Sequence, residues 1–202
     1  MNVWLESAGE RSDAELIREA QSGHREAFAE LYRRHEAVVY RFACAMTGSS
    51  VVAEDVVQEV FLTLMRDLTR YDPVRAALPT YLYGVARNIS RARARKDRRF
   101  VNLEAASSVL ANDDPAARIS EREDVRVLRV AIRGLPAKFR EVLVLCDLHE
   151  LDYAQVAVIL RVPVGTVRSR LSRARQQIQR RMHKMRQPAA SVQPVVSRVL
   201  IP

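Results

Sequence analysis

The 202-residue chain is 48% hydrophobic and carries a formal net charge of +9. That excludes disorder throughout and points to a polyanionic partner, either nucleic acid or an anionic membrane surface. No apolar run approaches the ~18 residues that a membrane span needs, and the opening MNVWLESAGE lacks the basic start and apolar stretch of a secretory signal, so a cytosolic protein without membrane insertion is expected.

Apolar residues recur at intervals of three and four, glycines are few, and alternating runs are missing. This predicts an all-α fold of two small helical domains joined by a flexible linker. Ser12 followed by Glu15 is a capping-box pattern opening a short first helix, which Gly23 closes. A long helix over about 24–46 turns Phe28, Leu31, Tyr32, Val38, Val39 and Phe42 inward and ends at TGSS. A third covers about 51–68. Its buried side is Val56, Val57, Val60, Phe61, Leu64 and Leu68, and its outer side is Asp55, Gln58, Glu59, Leu62 and Arg66. Leu62, ringed by polar and acidic groups, has the character of an interface centre with a charged rim.

After RYDPVRAALP a fourth helix is predicted over about 80–99. Leu82, Val85, Ala86 and Ile89 form its packed side, and Arg87, Arg91, Arg95 and Arg98 recur on an exposed stripe. Tyr81, Tyr83 and Asn88 add stacking surface and base-edge hydrogen bonding, which suits unstacked single-stranded bases; core packing is the competing role for the tyrosines. From 100 to 120 the periodicity fades around ANDDPAA, so the expected division is a first domain over 1–99, a linker over 100–120, a second domain over 121–184 and a disordered tail over 185–202.

The second domain is predicted as helices near 121–135, 137–147, 152–160 and 164–183, with Pro136 and Pro163 where helices start or stop. Asp152 is placed to cap the amide of Gln155. In the last helix Val167, Leu171, Ala174 and Ile178 share a narrow stripe, with Arg168, Ser169, Ser172 and Arg173 opposite. A short capped helix, a tight turn at RVP and a longer basic helix make a helix-turn-helix, whose second element fits the DNA major groove. A solvated face normally mixes charges of both signs, whereas VPVGTVRSRLSRARQQIQRR contains no acid.

Cys44 and Cys146 lie far apart in apolar helical patterns and are expected as reduced, buried thiols. Cys146 and His149 in CDLH make only half of a metal site, and no second pair follows at ligand spacing, so no metal or other cofactor is expected. No nucleophile–base pair or glycine-rich phosphate loop appears, and His24, His35, His149 and His183 are scattered, so no catalytic residues are assigned.

With AEDVVQEVF, YLYGVARN, LPAKFREVLVL and VPVGTVRSRLSRAR in this order, the chain resembles a bacterial RNA polymerase sigma factor of the extracytoplasmic-function (ECF) group over about 26–99 and 120–181. The resemblance implies that Asp55, Gln58, Glu59 and Leu62 meet a basic coiled-coil on the largest subunit of the polymerase core. It implies that Tyr81, Tyr83, Arg87, Asn88, Arg91, Arg95 and the 73–81 loop serve the −10 element and its opened single strand, and that Arg168, Ser169, Ser172 and Arg173 read the duplex −35 element. It also implies an anti-sigma partner. The chain departs from the family pattern in having Tyr81 in place of a tryptophan, Ala76 near a usual glycine, Leu78 near a usual aromatic, and Arg161 where a small residue or glycine is commoner.

Magnitudes support a polymerase partner independently. Opening about ten base pairs costs on the order of 14 kcal/mol at ~1.4 kcal/mol per step, whereas captured bases return roughly 1–3 kcal/mol each, so a small domain does not melt DNA alone. A linker of about twenty residues at ~3.3 Å each reaches roughly 70 Å, comparable with two ~34 Å turns of duplex. The sequence reading therefore favours a promoter-directing initiation factor over a stand-alone helix-turn-helix regulator or an enzyme.

Overall fold

A computed structural model of the protein describes residues 11–73, 76–103 and 123–186. Eight α-helices and no strand occur among them. Helix α1 (Asp13–Gln21) starts at a complete capping box, in which the Ser12 side chain accepts from the Glu15 amide while Glu15 accepts from the Ser12 amide, and Gly23 turns the chain with φ 91°. Helix α2 (Arg25–Thr47) ends on Gly48 in the left-handed conformation, and Ser49 caps α3 (Ser50–Asp67) through the Val52 amide. A single 3-10 turn, Leu68–Arg70, follows.

Helix α4 (Leu78–Leu103) is longer at both ends than the predicted 80–99. The expected linker therefore begins as helix, and residues 104–120 lie outside the described residues. So does the tail beyond Arg186. Pro79 fits the first turn of α4, where its missing N–H is not needed.

Next come α5 (Glu123–Arg133), α6 (Ala137–Leu143), α7 (Tyr153–Leu160) and α8 (Val164–Arg186). The helix expected over 137–147 is α only to Leu143 and then widens into a π turn, Val144–Leu148. Its amide ladder is stretched accordingly, with the His149 amide reaching the Val144 carbonyl at 3.0 Å. Val144 and Leu145 stay buried through the widening, while His149 is carried to the face that meets α4. The Asp152–Gln155 capping box opens α7.

Helices α1–α4 pack as one module around Leu31, Phe42, Val56, Leu64 and Leu82, and α5–α8 as another around Leu135, Leu145, Val156, Val167 and Leu171. The two modules pack together: α4 meets α7, and α2 meets α5 and the π turn, so the apolar interiors are continuous.

Polar contacts reinforce this docking. The Tyr83 hydroxyl lies 2.7 Å from His149 Nδ1. Arg133 reaches the Gly48 carbonyl at 3.3 Å, and Arg140 reaches the Met46 carbonyl at 2.6 Å. Arg140 also donates to the carbonyls of Arg133 and Leu135, so one guanidinium satisfies the last turns of both α2 and α5, the helix ends where cationic groups are favoured.

Candidate nucleic-acid interface

Val167, Leu171, Ala174 and Ile178 of α8 are buried against the second module, and Arg168, Ser169, Ser172 and Arg173 are exposed together on its other side. The face is partly pre-set. The Arg168 guanidinium lies 5.8 Å from the centre of the Tyr153 ring, and the Ser169 hydroxyl donates to the Thr166 carbonyl at 3.1 Å. Arg175 forms a forked pair with Asp147, at 3.0 and 2.7 Å. Tyr153 and Asp147 were not among the residues singled out from the sequence; both come from other elements, and only packing brings them to α8. The turn before α8 is made by Arg161 in the left-handed region (φ 54°), which is where glycine would be at ease.

Helix α4 tells a different story. Asn88 and Arg95 are exposed, as its periodicity implies. Tyr81 is half-buried, its hydroxyl 3.4 Å from Asp67 and its ring edge-on to Tyr71 at 5.4 Å, and the Tyr71 hydroxyl in turn donates to the Ala76 carbonyl at 2.9 Å. This pair of rings braces the start of α4. Burial raises both phenols, Tyr71 to about 12.

Tyr83 takes the competing core-packing role, and of the expected exposed stripe Arg87 and Arg91 turn towards the other module. Tyr83 is only 2% exposed, with its ring edge-on to Phe42 at 5.4 Å and to His149 at 5.1 Å. Arg87 and Arg91 both turn to Glu141 of α6: Arg87 Nε is 2.9 Å from one carboxylate oxygen and Arg91 Nε is 2.5 Å from the other. Glu141 is fully buried, and the Arg87 side chain is 11% exposed against 39% for Arg91. A carboxylate removed from water needs such partners, and here both come from the other module. Periodicity along one helix does not reveal a partner 54 residues away. The Arg98 side chain lies outside the described residues.

On α3, Asp55, Gln58, Glu59 and Leu62 share one exposed face, with Leu62 48% exposed. Exposed Met65 widens the apolar part of this helix. Sequence reasoning missed Arg93 of α4, which donates to Asp55 at 2.7 Å and to Glu59 at 3.1 Å and so binds the acidic face to the neighbouring helix.

Both cysteines are free thiols, and both are half-buried rather than fully buried as expected. Burial, followed by Asp147, pushes Cys146 up to about 11. His149, whose ring contacts are Phe42 and Tyr83, is held down to about 4, by burial first and by Arg41 second. The imidazole is therefore neutral, and its Nδ1 shares a hydrogen bond with the Tyr83 phenol, itself raised by burial. Among the described residues no cluster of three or more His, Cys, Asp or Glu side chains is arranged to hold a metal ion, and no helix is long and apolar enough to cross a membrane.

Family models place this geometry. Residues 31–100 match Sigma-70 region 2, and residues 126–178 match Sigma-70, region 4. The chain is 33% identical over 175 residues to the ECF RNA polymerase sigma factor SigM of Mycobacterium tuberculosis (strain H37Rv), with 85% of each chain covered. It is 34% identical over 154 residues to the ECF RNA polymerase sigma factor SigE of Mycolicibacterium smegmatis, covering 74% of this chain and 59% of that longer protein. In fold it is similar to the sigma factor RpoE of Bartonella quintana, solved in complex with the anti-sigma factor NepR, with a TM-score of 0.66 at 22% identity over 79% of this chain and 98% of that one.

Proposed function

The chain belongs to the ECF RNA polymerase sigma factors, and from that premise we propose how its two modules divide the work of promoter-specific initiation. The protein binds the RNA polymerase core and directs it to promoters, as a non-catalytic factor working in the cytoplasm. The exposed face of α3 (Asp55, Gln58, Glu59 and Leu62) meets a basic coiled-coil of the largest polymerase subunit. Arg93 lies in the same contact and has to share its carboxylates with the incoming cations.

Helix α4 serves the −10 element: Asn88 and Arg95 stand ready for the opened strand, and the Tyr71–Tyr81 pair braces the start of the helix. Helix α8 reads the duplex −35 element. Arg173 and Arg168 are suited to guanine edges or phosphates, and Ser169 and Ser172 to either. An anti-sigma protein is the partner expected to hold the factor inactive.

The observation that carries this reading is the composition of α8: one side is buried in the second module, and the outward side presents arginine and serine with no acid. Purified protein added to sigma-free core polymerase tests it. The expected outcome is retention on immobilised core and transcripts with promoter-dependent 5′ ends. Asp55→Ala with Gln58→Ala is expected to lower retention while leaving the helical circular dichroism unchanged. Tight promoter binding without any retention on core would instead make the protein a stand-alone regulator.

A further inference from the structure

Helix α7 ends in a Schellman turn. The Val162 amide donates to the Ala157 carbonyl at 3.1 Å and the Arg161 amide to the Val158 carbonyl at 3.2 Å, while the Val162 and Ala157 side chains both pack against the core. Helix α8 then starts on Pro163, whose carbonyl accepts from the Thr166 and Val167 amides at 2.9 and 3.2 Å. These bonds are all between backbone groups, so they form with any residue that tolerates the left-handed region at 161, and glycine tolerates it best. Arg161 adopts φ 54° there with a Cβ in place, a cost that glycine would not carry. The fold makes no use of its charge: Arg161 is exposed, and among the described residues no carboxylate pairs with its guanidinium. No acidic residue occurs from Arg161 to Arg175, so nothing in this stretch competes for the cation.

Arg161 stands just ahead of Val164, the first residue of α8. With α8 reading the duplex, its first turns enter the major groove, and a helix about 10–12 Å across fills a groove about 12 Å wide. A residue of the turn at that entering end stays outside the filled groove, which is bordered by the phosphate backbone. Resting on that reading of α8, we propose that Arg161 is a phosphate clamp: its guanidinium binds a backbone phosphate of the −35 duplex beside the groove and fixes how the helix is seated, without reading a base. It is a positioning residue. Backbone strain at 161 is the cost of holding a cation where the fold favours glycine, and the contact it serves exists only in the complex.

The two effects of removing Arg161 therefore have opposite signs. Arg161→Gly relieves the turn and deletes the charge, so Tm by circular dichroism is expected to stay level or rise by a few degrees while duplex binding weakens. Binding is measured on the full-length chain with two fluorescein-labelled duplexes of ~24 base pairs and unrelated sequence, between ~50 and ~200 mM salt. Loss of one phosphate contact lowers the slope of log affinity against log salt by about 0.9. Arg161→Gly is accordingly expected to bind both duplexes roughly eightfold more weakly at ~0.1 M salt, a difference that shrinks about 3.5-fold from ~50 to ~200 mM. Arg161→Asn, which tolerates the left-handed backbone without a charge, is expected to match it, and Arg161→Lys to stay within about threefold of the unaltered chain.

Arg168→Ala with Arg173→Ala reports separately on whether α8 meets duplex at all. If that double variant is weakened while Arg161→Gly and Arg161→Asn keep the affinity and salt slope of the unaltered chain, the clamp is refuted and the reading of α8 survives. A loss in Arg161→Lys as large as in Arg161→Gly refutes it too, because charge is then not what binds. A loss confined to one of the two duplexes makes Arg161 a base-reading residue and overturns the clamp. A clear fall in Tm for Arg161→Gly shows that the fold does use the side chain, and removes the premise. If the double variant binds both duplexes as the unaltered chain does, the reading of α8 falls, and the clamp falls with it.

Discussion

Helices α4 and α8 are written in nearly the same way, with arginines spaced three or four residues apart opposite an apolar stripe, yet the fold treats them differently. Along α8 the outward residues Arg168, Ser169, Ser172 and Arg173 stay exposed, and Asp147 is taken by Arg175 at the edge of the face. Along α4 a buried carboxylate from another element takes two of the arginines, and a tyrosine and histidine close over the next turn. A basic helix is therefore not an open nucleic-acid surface by virtue of its sequence; whether it is open depends on what packs against it.

The sharpest way to probe the contrast is Arg173→Ala on the open helix. A base-reading arginine is worth about 1–3 kcal/mol, so promoter-dependent initiation should fall roughly 10- to 100-fold on templates carrying the preferred upstream base and much less on others. Equal loss on every template would reduce Arg173 to a phosphate contact.

On the closed helix, acid should loosen the docking. His149 is held at about 4 in the docked chain, below its ordinary 6.5, so the docked state prefers the neutral ring. Above pH 6.5 neither state binds the proton. As pH falls from 6.5 towards 4 the undocked state takes it up and the docked state does not, so docking weakens across that window, roughly 20-fold between pH 7 and pH 5. Tyr83 of α4 and Phe42 of α2 pack against the ring, and its burial, with the charge of Arg41, sets this preference. Scattering between pH 7 and pH 5 should show expansion that His149→Phe removes; an unchanged pH profile in that variant would take the effect away from His149.

A smaller effect is expected at the hinge between α2 and α3. Gly48 has φ 77°, and a Cβ there would come within 2.3 Å of Arg133 Cδ. Gly48→Ala combines a left-handed backbone cost of about 1–2 kcal/mol with displacement of Arg133 from the Gly48 carbonyl. The Tm should fall by roughly 2–4 °C per kcal/mol, with a more expanded particle at equal temperature. Smallest of all, Tyr153→Ala removes the ring under Arg168, an exposed cation–π contact worth about 0.5–1 kcal/mol, and should weaken upstream-duplex binding roughly two- to fivefold in a fluorescence-anisotropy titration. An effect as large as that of Arg173→Ala would mean that Tyr153 itself touches DNA.

Much of this molecule was legible in its residues, because the signals are local. The capping boxes at Ser12–Glu15 and Asp152–Gln155, the stop at Gly48 and the two-sided character of α3 and α8 each depend on residues within a turn or two of one another. The family motifs run in the expected order for the same reason, since they are short continuous segments. The π turn at 144–148 and the extra turns of α4 were not legible: widening or prolonging a helix costs little locally and is decided by what it packs against.

What the sequence determined by itself is the set of helices, which side of each is apolar, and the placing of positive charge on α4 and α8. Tertiary structure alone decided that Glu141 meets Arg87 and Arg91, that Tyr83 is covered by His149, and that Arg93 braces Asp55 and Glu59. The physical reason is range. Helical periodicity is set by contacts three and four residues apart, whereas burial of a charge depends on whether a counter-charge from a distant segment arrives before water is excluded, and no local pattern records that arrival.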